Sequence, residues 1–337
     1  MTRRILYTAG TIALFLVIVG VFLPPTSHVE RETTIDAPAA TVFALLSDVH
    51  RVREWSPWIA SGPDVSTQFS GPRRGVGAAI RWNSPTEGTG NQTIVESIPF
   101  ERVVTTMNTG SDEPSRTTIV LEAVENGTRV RWFFDADFGI DLVQRYLRPV
   151  FAGRVGRNFE QGLTNLKSMA ENLPRADFSD LQIEHLNIEP APIAYLTTTS
   201  LPNSVAISEA MGEAYFKVLS FMDRHGLQEA GAPLSISRDF SGAHLVFDAA
   251  IPLSSAGAIT AEPASGVQLG QTYGGAAIRV THVGSYDDLG RTHEKIAAYL
   301  AAYGIERNGD AWESYESDPA RTAEPELRTF IYYPVRE

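Results

Sequence analysis

The sequence predicts an α+β fold in three parts: an N-terminal transmembrane helix, a domain in which a long helix lies across a curved antiparallel sheet, and a domain made of a duplicated strand–helix–hairpin unit. Three observations carry this reading. An apolar run fills Ile5 to Leu23 and stops at Pro24-Pro25. One strand, two short helices, six short strands and a long final helix then follow in order up to about Asn172. Beyond that point one strand, helix and hairpin pattern occurs twice. The boundaries that result are 5–24 for the anchor, 27–173 for the first domain, 174–180 for a linker and 181–337 for the second domain.

The totals set limits on function. A chain of 337 residues, 43% hydrophobic and 20% charged, can bury a core in each half. Its net charge of -12 argues against nucleic-acid binding, which needs a basic face. The absence of cysteine excludes disulfides, thiolate metal sites and cysteine nucleophiles.

The N-terminal run is about as long as a spanning helix requires. Arg3 and Arg4 precede it, and proline ends it because it cannot continue the hydrogen-bond ladder. A cleaved signal peptide is the competing reading, but the run is long for one and no small-x-small cleavage site follows. Basic residues stay on the cytoplasmic side, so the expectation is a single-pass inner-membrane anchor with both domains outside the cytoplasm.

In the first domain Val29–Ile35 alternates like a strand. Asp36-Ala-Pro38 reads as a helix start, with Asp36 as cap and Pro38 in the first turn. Helical stretches follow at Ala39–Leu46 and Asp48–Glu54, then the motif Trp55-Ser-Pro-Trp58. Turn signals at Ser61-Gly-Pro63 and Gly71-Pro72 precede or separate strands at Val65–Phe69, Gly77–Trp82, Asn91–Ile98, Arg102–Asn108, Thr117–Val124 and Thr128–Ala136. Asn126-Gly127 is a two-residue hairpin signal between the last two. The long helix runs from about Asp141 to Asn172, with a kink or break expected at Pro149 and Gly153–Gly156. This order, with Asp36-Ala-Pro38-Ala-Ala-Thr-Val-Phe43 and Trp55-Ser-Pro-Trp58, resembles the START-like superfamily (SRPBCC) that includes polyketide cyclases and dehydrases. The resemblance implies an apolar cavity between helix and sheet for lipid-like or aromatic molecules. Trp58, Trp82, Phe100 and Trp132 serve equally well as a solid core. No catalytic constellation, phosphate loop or metal spacing occurs here.

The second domain repeats itself. Strands at Leu181–Leu186 and Ile193–Thr198, a helix at about Ser208–His225, Gly231–Ile236 and Phe247–Leu253 form the first copy. A strand at Gly275–Val283, a helix at about Tyr286–Tyr303, Gly309–Tyr315 and Arg328–Val335 form the second. Both helices end at a glycine, Gly226 and Gly304, and both hairpins close on an apolar-Pro-apolar triplet. Matching Ala232 with Ala311 sets Leu234 against Glu313 and Ile236 against Tyr315. On that match Glu313 and Tyr315 point inward, as the apolar twin does. A carboxylate so placed must be paired, hydrated or protonated. Trp312, by strand parity, faces away.

His282-Val-Gly-Ser-Tyr286, the motif Trp312-Glu-Ser-Tyr315 with Asp318-Pro319, and Glu326-Leu-Arg-Thr-Phe-Ile-Tyr-Tyr-Pro-Val335 look like the GyrI-like, AraC effector-binding family. The resemblance implies a groove for hydrophobic, often cationic, small molecules. In it Glu313 meets the ligand's charge and Tyr286 and Tyr315 line the walls, with Trp312, Tyr273 and Phe330 as further wall candidates. Only one of Tyr332 and Tyr333 can face the groove, and the spacing of His282 and His293 is not that of a metal site. No cofactor and no metal is expected. Three functions follow. The first is an anchored protein that binds amphipathic small molecules. The second is a hydrolase of strained or drug-like compounds with Glu313 as general base. The third is a structural envelope protein, its protein partners unidentified.

Overall fold

The computed structural model describes residues 2–59, 65–85, 88–108, 115–240, 242–254 and 266–336; the side chains of residues 2–6, 9 and 13 fall outside this description, as does the turn expected at Ser61–Pro63. The chain divides into two compact units, Met1–Ser179 with Ala301–Tyr303, and Asp180–Leu300 with Gly304–Glu337.

The first unit opens with helix α1 (Thr2–Phe22). Among the described residues no helix is long and apolar enough to cross a membrane. After α1 come strand β1 (Thr26–Ile35), helices α2 (Ala39–Ser47) and α3 (Val49–Trp55), and strands β2 (Ser66–Ser70), β3 (Ala79–Ser84), β4 (Gly88–Ile98), β5 (Arg102–Asn108), β6 (Ser115–Val124) and β7 (Gly127–Asp137). Helix α4 (Leu142–Glu171) closes the unit. The strands form one antiparallel sheet in the order β1-β7-β6-β5-β4-β3-β2. The alternation read from the sequence is what allows it, since one face of each strand must be apolar to meet the helices.

Two local expectations need correction. Pro38 precedes α2 without a side-chain cap, and the Asp36 carboxylate pairs with Arg175 at 2.8 Å instead. Helix α4 runs unbroken through Pro149 and both glycines. Pro149 lies on an exposed turn, where water can take the carbonyl the ring frees. A Cβ at Gly156 would come within 2.5 Å of the Arg31 guanidinium, the movable end of a flexible side chain. Gly162 admits the Trp132 ring, 2.8 Å from an added Cβ.

Beneath α4, Trp132 stacks on Phe159 at 4.0 Å between ring centroids, and Trp55 meets it edge-on at 5.5 Å. Trp82 is buried as well, while Trp58 and Phe100 pack from the margin. These rings fill space that the resemblance assigns to a cavity. The indole N–H groups of Trp55, Trp58 and Trp132 are nonetheless buried without an acceptor. A cleft of about 600 Å³ opens elsewhere in the unit, beside Asp36, Pro38, Phe100, Leu121 and Arg175.

The second unit contains β8 (Ile183–Ile188), β9 (Pro192–Ser200), helix α5 (Ser204–His225), β10 (Leu234–Phe240), β11 (Leu245–Pro252), β12 (Gln268–Gln271), β13 (Gly275–Val283), helix α6 (Leu289–Tyr303), β14 (Trp312–Tyr315) and β15 (Arg328–Pro334). The eight strands form one antiparallel sheet ordered β12-β9-β11-β10-β14-β15-β13-β8. Strand β12, absent from the sequence reading, extends the β9 edge as β8 extends the β13 edge. The order is symmetric about the β10–β14 pair, so the pseudo-twofold axis passes between these central strands.

Both faces of this sheet are occupied. One carries Ala194, Phe247, Ala249 and Ile251, packed under α5. The other collects Ile188, Ile193, Tyr195, Leu234, Ile236, Trp312 and Tyr332 into a single cluster. This cluster runs across the face from β9 to β8.

Candidate functional site

The register of the central strands decides where Glu313 points. Opposite residues are Leu234 with Ser314, Ser235 with Glu313, and Ile236 with Trp312. Residues opposite one another in an antiparallel pair share a face. Glu313 therefore lies with Ser235, Ile331 and Ala249 on the helix-covered face, and Leu234 and Ile236 lie with Trp312 on the other. The expected match of Leu234 with Glu313 is one residue out of register. Glu313 still faces a covered interior, but its twin is Ser235.

A single offset carries Gly226 onto Gly304, Gly231 onto Gly309, Tyr215 onto His293 and Ser235 onto Glu313. The two turn glycines confirm it by their surroundings. A Cβ on Gly231 would meet Pro252 Cγ at 3.4 Å, and one on Gly309 would meet Pro334 Cγ at the same distance. Strand β14 and its mate thus deliver Ser235 and Glu313 to the axis, and the two helices deliver Tyr215 and His293 above them.

Around Glu313 the polar groups form a connected chain. Its Oε1 lies 2.7 Å from His293 Nε2, and its Oε2 accepts from the Tyr315 hydroxyl. A carboxylate only accepts, so Nε2 carries the proton of the first contact. On the far side of the imidazole, Tyr333 Oη lies 2.8 Å from Nδ1. The Glu313 side chain is 16% exposed and that of His293 26%, so the chain is enclosed but not sealed. Tyr286, in the 3-10 turn Tyr286–Asp288 ahead of α6, sets its ring edge-on to Tyr315 at 5.4 Å. Tyr215, on α5, donates to the carbonyl of Leu234 at 2.9 Å. Thr329 lies on the same face opposite Tyr315, its hydroxyl buried and without a partner.

Tyr315, bonded to this carboxylate, and Tyr215, Tyr286 and Tyr333, within reach of its charge, all have raised pKa values. Burial is the main cause at Tyr215, Tyr286, Tyr315 and Tyr333. The negative charge of Glu313 adds to it at every one of them, with Asp318 contributing at Tyr286 and the Arg307 cation opposing at Tyr333. All are hydrogen-bond donors at neutral pH. The arrangement is one anionic group in an aromatic, donor-rich setting, able to hold a cation or to move a proton.

Of the residues singled out from the sequence, Glu313, Tyr315 and Tyr286 come together. Trp312, Tyr273 and Phe330 do not. Trp312 stacks on Tyr332 at 4.7 Å and neighbours Tyr273 at 6.1 Å in the cluster on the opposite face. Phe330 lies two residues from Tyr332 on that same face and carries the Arg279 guanidinium at 4.6 Å. Strand parity explains Trp312 and Phe330; Tyr273 lies in the connection between β12 and β13. His293, Tyr215 and Tyr333 were not identified as site residues. A signal existed for the first two, since each interrupts the apolar stripe of its helix: Leu289, Ile296 and Leu300 around His293, and Ala214, Val218 and Met222 around Tyr215. His282 is structural, bonded to Thr292 and to the carbonyl of Ser285. Among the described residues no group of three or more His, Asp or Glu could hold a metal.

Comparison with known proteins divides the chain as the fold does. The family of polyketide cyclases / dehydrases and lipid transport matches residues 26–171. The GyrI-like small molecule binding domain matches residues 182–336. A search of curated proteins returned no match. Among solved structures, the C-terminal domain of EcmrR is 15% identical, with 47% of this chain and 99% of that one covered and a TM-score of 0.40. A protein from Chromobacterium violaceum is 17% identical over 43% of this chain and 98% of its own, at a TM-score of 0.33. A hydrolase from Listeria innocua is 14% identical over 46% and 92%, also at 0.33.

Proposed function

We propose that this chain, a polyketide cyclase/dehydrase-type domain followed by a GyrI-like small-molecule-binding domain, is a membrane-anchored protein that takes an amphipathic organic cation at Glu313. One observation carries the reading: an enclosed carboxylate on the pseudo-twofold axis, bonded to one protonated phenol and acting through its charge on three more. A delocalised cation gains both the charge pair and the aromatic faces, and loses little because it is weakly hydrated. In the first domain, the cleft of about 600 Å³ beside Phe100 and Leu121 supports a lipid-like or aromatic ligand. The apolar run Ile5–Leu23 with Arg3 and Arg4 before it supports a single-pass anchor in the inner membrane, with both domains outside the cytoplasm as the matching proposal.

The test is titration of the detergent-solubilised full chain with a triarylmethane dye cation and, separately, with its uncharged leuco form. Saturable binding that favours the cation is expected. A chain that ignores a panel of such dyes would overturn the reading for the second domain.

The contact between His293 Nε2 and Glu313 supports a second reading, a hydrolase. There Glu313 takes a proton from water, whose oxygen attacks a strained or drug-like electrophile, and a protonated phenol supplies the leaving atom's proton. Turnover abolished in Glu313→Gln while ligand binding persists would favour this reading over simple binding. A purely structural envelope role predicts neither effect.

A further inference from the structure

Helix α4 presents two unlike surfaces along its length. Its second half is an ordinary core helix, burying Val155, Phe159, Leu163 and Leu166 against the sheet. Its first half turns apolar side chains to the outside. Val143 is 67% exposed, Leu147 50% and Val150 72%, and Ile140, just ahead of the helix, is 93% exposed. The spacing i, i+4, i+7 puts the three helical residues on one face. One and two turns further, that same face carries Arg154 and Arg157, both exposed. No Asp or Glu occurs from Leu142 to Phe159, in a chain whose net charge is -12. An apolar stripe that passes into a cationic one, without acidic residues, suits an anionic bilayer surface rather than water.

A second observation ties this half of α4 to the end of α1. Helix α1 touches this half of α4 closely: a Cβ on Gly20 would lie 3.1 Å from Tyr146 Cε2 and 3.3 Å from Leu142 Cβ. The Tyr146 hydroxyl donates to the carbonyl of Leu16 at 2.6 Å. Arg145 donates to the carbonyls of Val21 and Leu23, 3.0 and 3.2 Å away, where α1 ends. Leu16 lies about 9 Å inside that end at the rise of an α-helix. An α1 that spans a bilayer therefore draws the start of α4 down beside it, and the outward face there is the apolar one.

We infer that the first half of α4 lies in the membrane interface, with Val143, Leu147 and Val150 in the acyl boundary and Arg154 and Arg157 over anionic headgroups. The inference rests on the reading of α1 as a spanning anchor. It makes the first domain a surface-bound module, held at one end, rather than one that swings freely on a tether.

The chain has no cysteine, so single labels can be placed cleanly. The full chain would be reconstituted into phosphatidylcholine vesicles with and without phosphatidylglycerol, carrying Val143→Cys, Leu147→Cys or Val150→Cys labelled with an environment-sensitive fluorophore. Ile12→Cys reports the anchor. Asn126→Cys, at the exposed β6–β7 turn and about 30 Å along β1 from the end of α1, is the control. Depth-graded lipid quenchers should place the α4 labels about 5–10 Å into the interface, with Asn126→Cys unquenched. Arg154→Gln with Arg157→Gln should lower the gain from phosphatidylglycerol by about five-fold per residue.

Quenching at Ile12→Cys but not on α4 overturns the inference and leaves the anchor standing. Quenching on α4 without Ile12→Cys keeps the interfacial helix and removes the spanning anchor. Labels on α4 shielded from water yet untouched by lipid quenchers would mean that a second copy covers the face, which also overturns it. No quenching at either place overturns both.

Discussion

Replacing Glu313 by Gln separates charge from shape at the central site. The side chain keeps its size, its amide oxygen can still accept from His293 Nε2, and its amide nitrogen can donate to the Tyr315 oxygen. Folding stability should therefore change by no more than about 1 kcal/mol. Cation binding should change far more. A unit charge about 4 Å from the carboxylate gains about 4 kcal/mol at an effective dielectric of about 20, and about 1 kcal/mol in bulk water. With Glu313 16% exposed, the site falls between these limits. A loss of about 2 kcal/mol is expected, roughly a 30-fold weaker Kd. The assay is paired: fluorescence titration of wild type and Glu313→Gln with the dye cation and with its leuco form. The leuco form should shift by less than about three-fold, as no net charge is involved. Equal losses for both ligands would show that the substitution acts through packing. An unchanged Kd for the cation, with the variant folded, would refute the role given to the carboxylate.

Other consequences are quicker to state. His293→Leu strips the enclosed carboxylate of a donor and should cost about 1–3 kcal/mol in urea unfolding. His293→Leu with Glu313→Leu should cost less than the two single changes added together, since neither partner is then left alone. The raised phenols at Tyr215, Tyr286, Tyr315 and Tyr333 contribute stability that is fully present below the ordinary phenol value of about 10 and is lost as pH rises through their folded values. An alkaline titration should show a late phenolate rise that coincides with loss of near-ultraviolet dichroism, and Glu313→Gln, by lowering the folded values, should move the loss of dichroism to higher pH. Gly90→Ala would set a Cβ 2.3 Å from the Trp82 ring and should destabilise the first domain by about 1–3 kcal/mol. Gly212→Ala on α5, with open space around it, should stabilise the second domain by up to about 1 kcal/mol in the same thermal melts.

Much of the fold was legible because it rests on local periodicity. Strand β5 was read at its observed limits, Arg102–Asn108, and β13 at Gly275–Val283, since alternation and flanking turn residues mark both ends. The unbroken course of α4 was not legible. Pro149 and Gly156 are breakers by propensity, which the burial of Val155, Phe159, Leu163 and Leu166 overrides. Strand β12 escaped for the opposite reason. Gln268–Gln271 has no apolar alternation, because an edge strand this short is held by its ladder to β9 and not by a buried face.

The central site shows where sequence logic needed one more physical constraint. Pairing the two repeats by alanine, Ala232 with Ala311, set Leu234 against Glu313, and a one-residue slip sends every side chain of a strand to the opposite face. Pairing them by glycine would have been right. Gly309 has φ of +148° and Gly231 meets the equivalent proline at the same distance, so these residues answer to backbone geometry that alanine does not report. The corrected register also finds what was missed. It lays His293 on Tyr215 and Glu313 on Ser235, so that one copy keeps a neutral hydroxyl pair where the other has become a hydrogen-bonded acid and base. A duplicated fold offers two equivalent positions at its axis, and only departure from that symmetry can give a single ligand a preferred end. The charge at Glu313 is that departure, and the dye and leuco-dye titrations measure it directly.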